Sequence, residues 1–471
     1  MRAVLVLAQD MAFVVTVLVV TTGLLQSVLQ LFQLGLAFAV LLRRPPAERI
    51  GLIWNRYADV TPPIAFVVPA YNEERSIVDS VQSLLAMNYP RVELVVVNDG
   101  STDGTLKTLV EAFGLIAIAR DFDDALPHQP IRGIFRASRE PRLIVVDKKN
   151  GGKADALNCA INLARSPLVC AIDADSLLEP ESILRAVKPF VDDPERTIGV
   201  GATVRVANGC LISHGRVLEV GLARSFLARL QTIEYLRAFL MARLAWSEIG
   251  LLTIVSGAFG VFRRQAVIEV GGYSTETVGE DFELVVKMHR YMREHGRDYR
   301  IEFIPEPVCW TEVPETLSSL GRQRARWHRG AMETFFTHRK MLGRRRYGRI
   351  GLVGYTNMLF SDVISPVAEV LGYVLVPLLW ALGLLSVEFF IAFLALSFSL
   401  GLAVSAGAFM LQQMELHRLT RARDMIILFA TAILENFGYR QLNNLWRLRG
   451  LWEYLRGDRH WGQMERAGFQ R

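Results

Sequence analysis

Ile64-Ala65-Phe66-Val67-Val68-Pro69-Ala70-Tyr71-Asn72-Glu73-Glu74 is an apolar run that ends at a proline and passes straight into a polar cluster. The pattern recurs. Val92 to Val97 leads into Asn98-Asp99-Gly100-Ser101, Leu143 to Val146 is a third run, and Leu168 to Ile172 leads into Asp173-Ala174-Asp175. Between these runs lie segments of helical period, Arg75 to Met87, Thr105 to Phe113 and Lys153 to Ala164. Short apolar runs joined by helical crossovers predict an α/β fold with a mostly parallel sheet buried on both faces. Such a sheet binds ligands at the carboxyl ends of its strands, where these polar clusters fall. The stretch from Gly114 to Arg142 has no clear period and reads as an insertion.

Outward from this core the chain becomes apolar. Of 471 residues, 51% are hydrophobic and 21% charged, and the mean hydropathy is +0.26. That excludes disorder, collagen and coiled coil and implies membrane spans beside a water-facing domain. Met11 to Leu42 carries no charge and would make a helix about 48 Å long, enough for one tilted span. Arg43, Arg44, Arg49 and Arg56 follow, which predicts a cytosolic exit. Late in the chain, spans are predicted at Ile364 to Leu385 and Phe389 to Gln412. Met425 to Leu434 is a shorter piece that is either embedded at the surface or a third span. The expected organisation is therefore an N-terminal membrane segment (1–45), a cytosolic domain (55–340) ending in an interfacial helix, a membrane region (350–447) and a basic tail (448–471). Glu369 falls inside a predicted span, where a carboxylate is either functional or placed to reach the aqueous edge. The four cysteines and eight histidines show neither disulfide nor zinc spacing. The net charge of +6 is modest and gathered late, which suits membrane lipid or phosphate rather than nucleic acid.

Taken singly, the polar clusters are ambiguous. Asp173 and Asp175, two apart at a strand end, suit a hard cation such as Mg²⁺ or Mn²⁺, but equally a turn. Asp99 is a ligand contact or a helix cap. Lys153 opens a helix where a diphosphate would be welcome, or is an exposed lysine. Glu280 and Asp281 offer a general base, or ordinary partners for a helix dipole. Gln323, Arg326 and Trp327 share a helical face that presents amide, guanidinium and ring to a sugar phosphate, or lies on the bilayer.

Their order is informative. Pro69-Ala70-Tyr71-Asn72-Glu73, Asn98-Asp99-Gly100-Ser101, Lys153 with Ala156-Leu157-Asn158, Asp173-Ala174-Asp175, Gly279-Glu280-Asp281 and Gln323-Arg324-Ala325-Arg326-Trp327 follow one another. Over about Ala65 to Arg329 the chain resembles the membrane-embedded, family-2 inverting glycosyltransferases of the cellulose, chitin, hyaluronan and poly-N-acetylglucosamine synthase group. The resemblance implies a GT-A catalytic domain on the cytosolic side of a bacterial-type inner membrane, using a nucleotide sugar, with UDP as the expected nucleotide. It implies that Ala70, Tyr71, Glu73 and Asp99 line the nucleoside pocket, with Lys153 and Asp173 beside the donor. Asp175, helped by Asp173, would hold the metal. Asp281, beside Glu280, would be the base, and Gln323, Arg326 and Trp327 would hold acceptor and diphosphate. Asn98 stands where many relatives carry a second aspartate, so Asp99 alone is carried over.

The expected activity is processive extension of a β-linked glycan by a hexose or N-acetylhexosamine. The alternatives are a single transfer to a lipid-linked acceptor and a catalytically dead binding subunit. The fewer spans, compared with the largest synthases, imply a second copy or an accessory export subunit.

Overall fold

The structure, a computed structural model, describes residues 2–44, 59–174, 176–213, 216–384, 386–416 and 421–457. Asp175, and the residues of the expected basic tail beyond 457, lie outside the described residues.

A long helix, α1 (Arg2–Arg43), precedes a ten-stranded sheet. Its strands, with those of a separate β9–β10 hairpin, are β1 (Ile64–Ala70), β2 (Val92–Asn98), β3 (Leu115–Ala117), β4 (Ile131–Ala137), β5 (Leu143–Lys148), β6 (Leu168–Ile172), β7 (Leu177–Leu178), β8 (Thr197–Val206), β9 (Leu211–Ser213), β10 (Arg216–Glu219), β11 (Phe259–Arg263) and β12 (Arg300–Thr311). The spatial order is β3-β4-β5-β2-β1-β6-β11-β8-β12-β7. Strands β5, β2, β1 and β6 are parallel, with Ile64 opposite Val92 and Leu168. Helices α2 (Ile77–Leu85), α3 (Thr105–Phe113) and α4 (Lys153–Leu163) make the crossovers. From β1 the chain steps one way to β2 and β5, then returns to add β6 on the other side. The reversal opens a crevice beyond Ala70 and Ile172, which is where such sheets hold ligands. Antiparallel β11 then joins β6 to a second parallel pair, β8 and β12.

The expected insertion is a structured edge of this sheet. Strands β3 and β4 extend it antiparallel to β5. The loop between them is pinned by Asn162, whose Oδ1 accepts from Leu126 N at 3.1 Å while its Nδ2 donates to Leu126 O at 2.8 Å. Asp155 accepts from Gln129 N at 2.9 Å. Strand β4 is only half-buried and carries a bulge after Ile131, so its sequence lacks a clean alternation.

Helices α5 (Ser182–Asp192), α6 (Phe226–Leu236), α7 (Glu280–Glu294) and α8 (Leu317–Thr337) complete the α/β half. Among the described residues, three stretches are long and apolar enough to cross a membrane: Thr16–Arg43, Ile350–Ala381 and Leu394–Met414, with mean hydropathies of 1.8, 1.8 and 1.9. The second starts earlier than its composition suggests. It runs through π-turns at Ile350–Gly354 and Leu359–Ile364 into α9 (Ser365–Ala381), the second π-turn falling just before Pro366, which has no N–H to donate. The third lies within α10 (Val387–Leu416). Helix α11 (Ala422–Leu434) has 13 residues, about 20 Å, and is too short to cross a 30 Å core. It packs Leu428 and Ala432 on Ile233, Leu236 and Leu240 instead. Helix α12 (Tyr439–Leu455) runs past the boundary expected at 447, because it packs along α8.

The membrane helices and the sheet share one core. Ala37, Val40 and Leu41 of α1 and Val404 and Leu411 of α10 pack in the same apolar cluster as Leu244, Ile301 and Phe303. Arg44 caps this contact with an ion pair to Glu306 at 3.5 Å. Two carboxylates of the membrane half, Glu369 and Glu435, find partners inside the protein, although one oxygen of Glu435 has no hydrogen bond. Glu369 accepts from Ser365 Oγ at 2.9 Å, Tyr373 OH at 3.0 Å and Asn444 Nδ2 at 2.6 Å. Glu435 is fully buried against Arg237, which also donates to Ser405 at 3.0 Å. Each would be costly in lipid without such partners.

Two buried histidines outside the spans make the fold acid-sensitive. His289 donates from Nε2 to Leu252 O and accepts at Nδ1 from Tyr299 OH, both at 2.7 Å, and burial pushes it down to about 4. Burial, with Arg447 nearby, pushes His328 down to about 3. Both stay neutral in the folded protein but would protonate near 6.5 in the unfolded chain. Below that pH the unfolded chain therefore binds more protons, and stability falls by about 1.4 kcal/mol per pH unit for each histidine until the folded-state value is reached. Thermal unfolding in detergent is expected to drop between about pH 6.5 and 4.5, with a shallower slope in His289→Gln. A melting temperature flat across this window would contradict the neutral assignment.

Candidate active site

The crevice is laced from its two walls. After β1, Asn72 adopts a left-handed φ of 57°, and its Oδ1 accepts from Thr102 N at 2.8 Å. Its own N–H donates to Ser101 Oγ at 3.0 Å. Glu73 N donates to Thr105 Oγ1 at 2.9 Å, and its carboxylate accepts from Ser76 Oγ at 2.7 Å. Tyr71, next to buried Ala70, leaves its ring half exposed at the mouth.

Asp99 is buried and tied down. Its N–H donates to Ala70 O at 2.9 Å, which locks the ends of β1 and β2 together. Its carboxylate accepts from Lys148 Nζ, from Gly151 N at 3.0 Å and from Gly152 N at 2.8 Å. Gly152 has a φ of 90°, which glycine alone adopts without strain, and it turns the chain into α4. Lys148, fully buried, also pairs with Asp155 at 2.6 Å. Asp99 therefore shapes the pocket wall by holding the loop after β5. Lys148 was not legible beforehand, since it reads as one of two adjacent lysines after a strand.

Lys153, the first residue of α4, reaches across the crevice. Its Nζ lies 2.6 Å from Asp173 and 3.2 Å from Glu280. Burial opposes its charge, but Asp173, Glu280 and Asp281 outweigh this and hold the ammonium well above the usual lysine range. Glu280 is pushed up by burial and by Asp281, against the pull of Lys153. Asp281 is half-buried; Oδ2 accepts from Gly257 N at 2.7 Å and Oδ1 from Phe282 N at 2.8 Å. Of the two acids that open α7, Glu280 is engaged by lysine and Asp281 is held by backbone donors. Gly257, in the turn before β11, was not singled out from the sequence.

Helix α8 closes the far side. Gln323 is buried, while Trp327 keeps 44% of its surface exposed. Arg326 lies close enough to Glu280 to favour its charged form. A glycine contact makes this approach possible. A Cβ on Gly330 would sit 2.8 Å from Gly279 Cα, so the start of α7 and the middle of α8 meet backbone to backbone. Glu333 clamps the same crossing, accepting from Thr277 Oγ1 at 2.8 Å and Val278 N at 2.9 Å. Arg243, on the π-turn Arg237–Arg243, lies over the Phe239 ring at 3.9 Å with a buried Nη1 that has no hydrogen-bond partner. Burial lowers it to about 10, opposed by Asp281 and Tyr235.

Among the described residues no three His, Cys, Asp or Glu side chains gather as a ready metal cluster. The donors present nonetheless suit a hard divalent cation. Asp173 keeps 28% of its side chain open to solvent and offers the carboxylate oxygens that such a cation takes.

Residues 62–330 match the family described as Glycosyltransferase like family 2. The poly-beta-1,6-N-acetyl-D-glucosamine synthase of Staphylococcus epidermidis is 26% identical over 299 residues, covering 64% of this chain and 61% of that protein. Its counterpart in Staphylococcus aureus (strain COL) is 29% identical over 271 residues, covering 57% and 55%. The chain thus matches little more than half the length of these relatives. Among solved structures, the mannosyltransferase PcManGT from Pyrobaculum calidifontis, in complex with GDP-Man and Mn²⁺, has a TM-score of 0.55 at 18% identity, covering 96% of this chain and 99% of that one. That likeness, with the sheet described above, establishes a GT-A fold accompanied by membrane helices. By the match over its catalytic half, the chain belongs to the family-2 glycosyltransferases.

Proposed function

We propose that this protein is a membrane-bound, inverting and processive glycosyltransferase that transfers N-acetylglucosamine from UDP-N-acetylglucosamine to a growing β-linked glycan. The observation that carries the proposal is the Gly279–Gly330 crossing. It sets a backbone-held carboxylate, Asp281, beside a helix that presents an exposed tryptophan and a buried glutamine. The sugar and nucleotide are taken from the staphylococcal relatives' names and the resemblance of the motifs. The domain faces the cytosol, since the basic end of α1 docks on it through Arg44.

In this reading Tyr71 and Glu73 line the nucleoside pocket, and Asp99 holds its wall. Lys153 and Arg326 face the diphosphate. Trp327 and Gln323 hold the non-reducing end of the acceptor. Asp281 takes the proton from the acceptor hydroxyl as the oxygen forms its bond to the anomeric carbon. The bond from that carbon to the diphosphate breaks on the opposite face, so configuration inverts and UDP leaves. Asp175 and Asp173 would hold a Mg²⁺ or Mn²⁺ ion, whose charge offsets that of the leaving diphosphate.

The test uses membrane vesicles, a divalent cation and a panel of labelled nucleotide sugars, with label followed separately into polymer and into lipid extract. Label in high-molecular-weight material from UDP-N-acetylglucosamine supports the proposal. Label confined to lipid replaces it with a single transfer, and none in either, with nucleotide still bound, points to a missing partner subunit. Chelation with EDTA is expected to stop incorporation, and Asp175→Asn to raise the cation concentration needed by about tenfold or more. Unchanged cation dependence in that variant would remove Asp175 from the metal site.

A further inference from the structure

Arg324 has no part in the mechanism above, yet it is 3% exposed and engaged through both terminal nitrogens and its guanidinium face, its Nε alone lacking a hydrogen-bond partner. Its guanidinium lies 4.2 Å from the centroid of the Trp327 ring. Its Nη1 donates to Gln323 Oε1 at 3.1 Å, and its Nη2 pairs with Glu234 Oε2 at 2.7 Å. Glu234 belongs to α6, and the same oxygen accepts from Tyr439 OH, in the first turn of α12, at 2.8 Å. Burial works against both charges, but each holds the other ionised: Glu234 lies below the usual carboxylate range and Arg324 above the usual guanidinium range.

Helix α12 is fixed to α8 at backbone range. A Cβ on Gly321 would lie 2.7 Å from Trp446 Nε1, and one on Gly450 would collide with Ala325 O. The tryptophan and glutamine of the candidate acceptor site are thus both held by one arginine, which is itself held by a helix that follows the membrane region.

We propose that Arg324 is a positioning residue for acceptor binding: anchored by Glu234 and Tyr439, it covers one face of Trp327 and fixes the Gln323 amide, leaving the opposite face of the ring for the acceptor sugar. The inference rests on the reading of Trp327 as the acceptor platform. A guanidinium stacked on indole restrains the ring while strengthening its hold on a plane, and lysine cannot reproduce the flat, forked contact. Because its single carbonyl oxygen, Oε1, accepts from Arg324, the Gln323 amide keeps its NH₂ group for a sugar hydroxyl.

The experiment compares purified, membrane-reconstituted variants supplied with UDP-N-acetylglucosamine. It measures polymer formed, free N-acetylglucosamine released by hydrolysis, and the melting temperature. Arg324→Met combined with Glu234→Gln removes both charges, so that neither is left buried alone. It is expected to melt close to the parent, to lose no more than about threefold in hydrolysis and to form polymer about twentyfold more slowly. Arg324→Lys, which keeps the charge, is expected to lose about tenfold in polymer formation with hydrolysis kept, and it decides the matter by itself if the double variant does not fold. Adding Trp327→Ala to either background should cost less than about twofold more, since the two residues act as one unit. Polymer formation at the parental rate in Arg324→Lys overturns the proposal. So does a loss of polymer that merely tracks hydrolysis or melting temperature. If Trp327→Ala alone leaves polymer formation intact, it is the acceptor reading of Trp327 that fails.

Discussion

Asp281→Asn is expected to lower glycosyl transfer by about a thousandfold or more, the contribution of a positioned general base. The nucleotide should still bind, because Tyr71, Glu73 and the loop held by Asp99 are untouched. The substitution is close to isosteric but not neutral in hydrogen bonding. Both carboxylate oxygens accept backbone donors, Gly257 N and Phe282 N, and an amide can accept from only one of them. A modest loss of melting temperature is therefore expected alongside the loss of turnover. Incorporation of label should be compared with UDP binding measured by calorimetry. Near-normal turnover would transfer the role to Glu280, which Glu280→Gln would then test. The geometry favours Asp281, because Glu280 is buried under Lys153 and released only by breaking that pair.

The second large effect is expected from a single methyl group. Gly330→Ala places a carbon 2.8 Å from backbone atoms of Gly279, and no side-chain rotation can relieve a contact with main chain. The start of α7 and the middle of α8 must separate, carrying Asp281 away from Trp327. A displacement of about 1 Å at reacting groups costs on the order of a hundredfold. The variant should fold, since Glu333 still clamps Thr277 and Val278. Hydrolysis of the donor and formation of polymer should both fall, in contrast to Arg324 variants. Parental activity in Gly330→Ala would show that the crossing has slack and that the two helices need not touch.

Much of this was legible in the chain. The runs at Ile64, Val92, Leu143 and Leu168 became β1, β2, β5 and β6, because a strand buried on both faces must be apolar throughout. The helix over Thr105–Phe113 was bounded as expected, whereas the second span starts at Ile350 rather than at the expected Ile364. Of the crevice residues, Tyr71, Glu73, Asp99 and Asp173 stand out as polar breaks after apolar runs, whereas Lys153, Glu280, Asp281 and Gln323 open or lie on helices. What escaped had long-range causes. Strands β3 and β4 form an edge whose order depends on Asn162 and Asp155, far along the chain. Gly257, Gly330 and Arg324 take their places from partners 24, 51 and 90 residues away in sequence, which no local period reports.

The core that Ala37, Val40 and Leu41 share with the sheet has a mechanical consequence. A catalytic domain on a slack tether would wander over the membrane, and each addition would have to find its exit again. Here the anchor and the sheet share one packed core, so on the reading proposed above an acceptor would meet Asp281 at a fixed height above the lipid. In the proposed polymerisation, thrust from a lengthening glycan would pass into α1 and α10, which pack in that same core. Cutting the chain at residue 59 would leave α10 alone to take that thrust, and would bare to water the apolar floor that Ala37, Val40 and Leu41 cover.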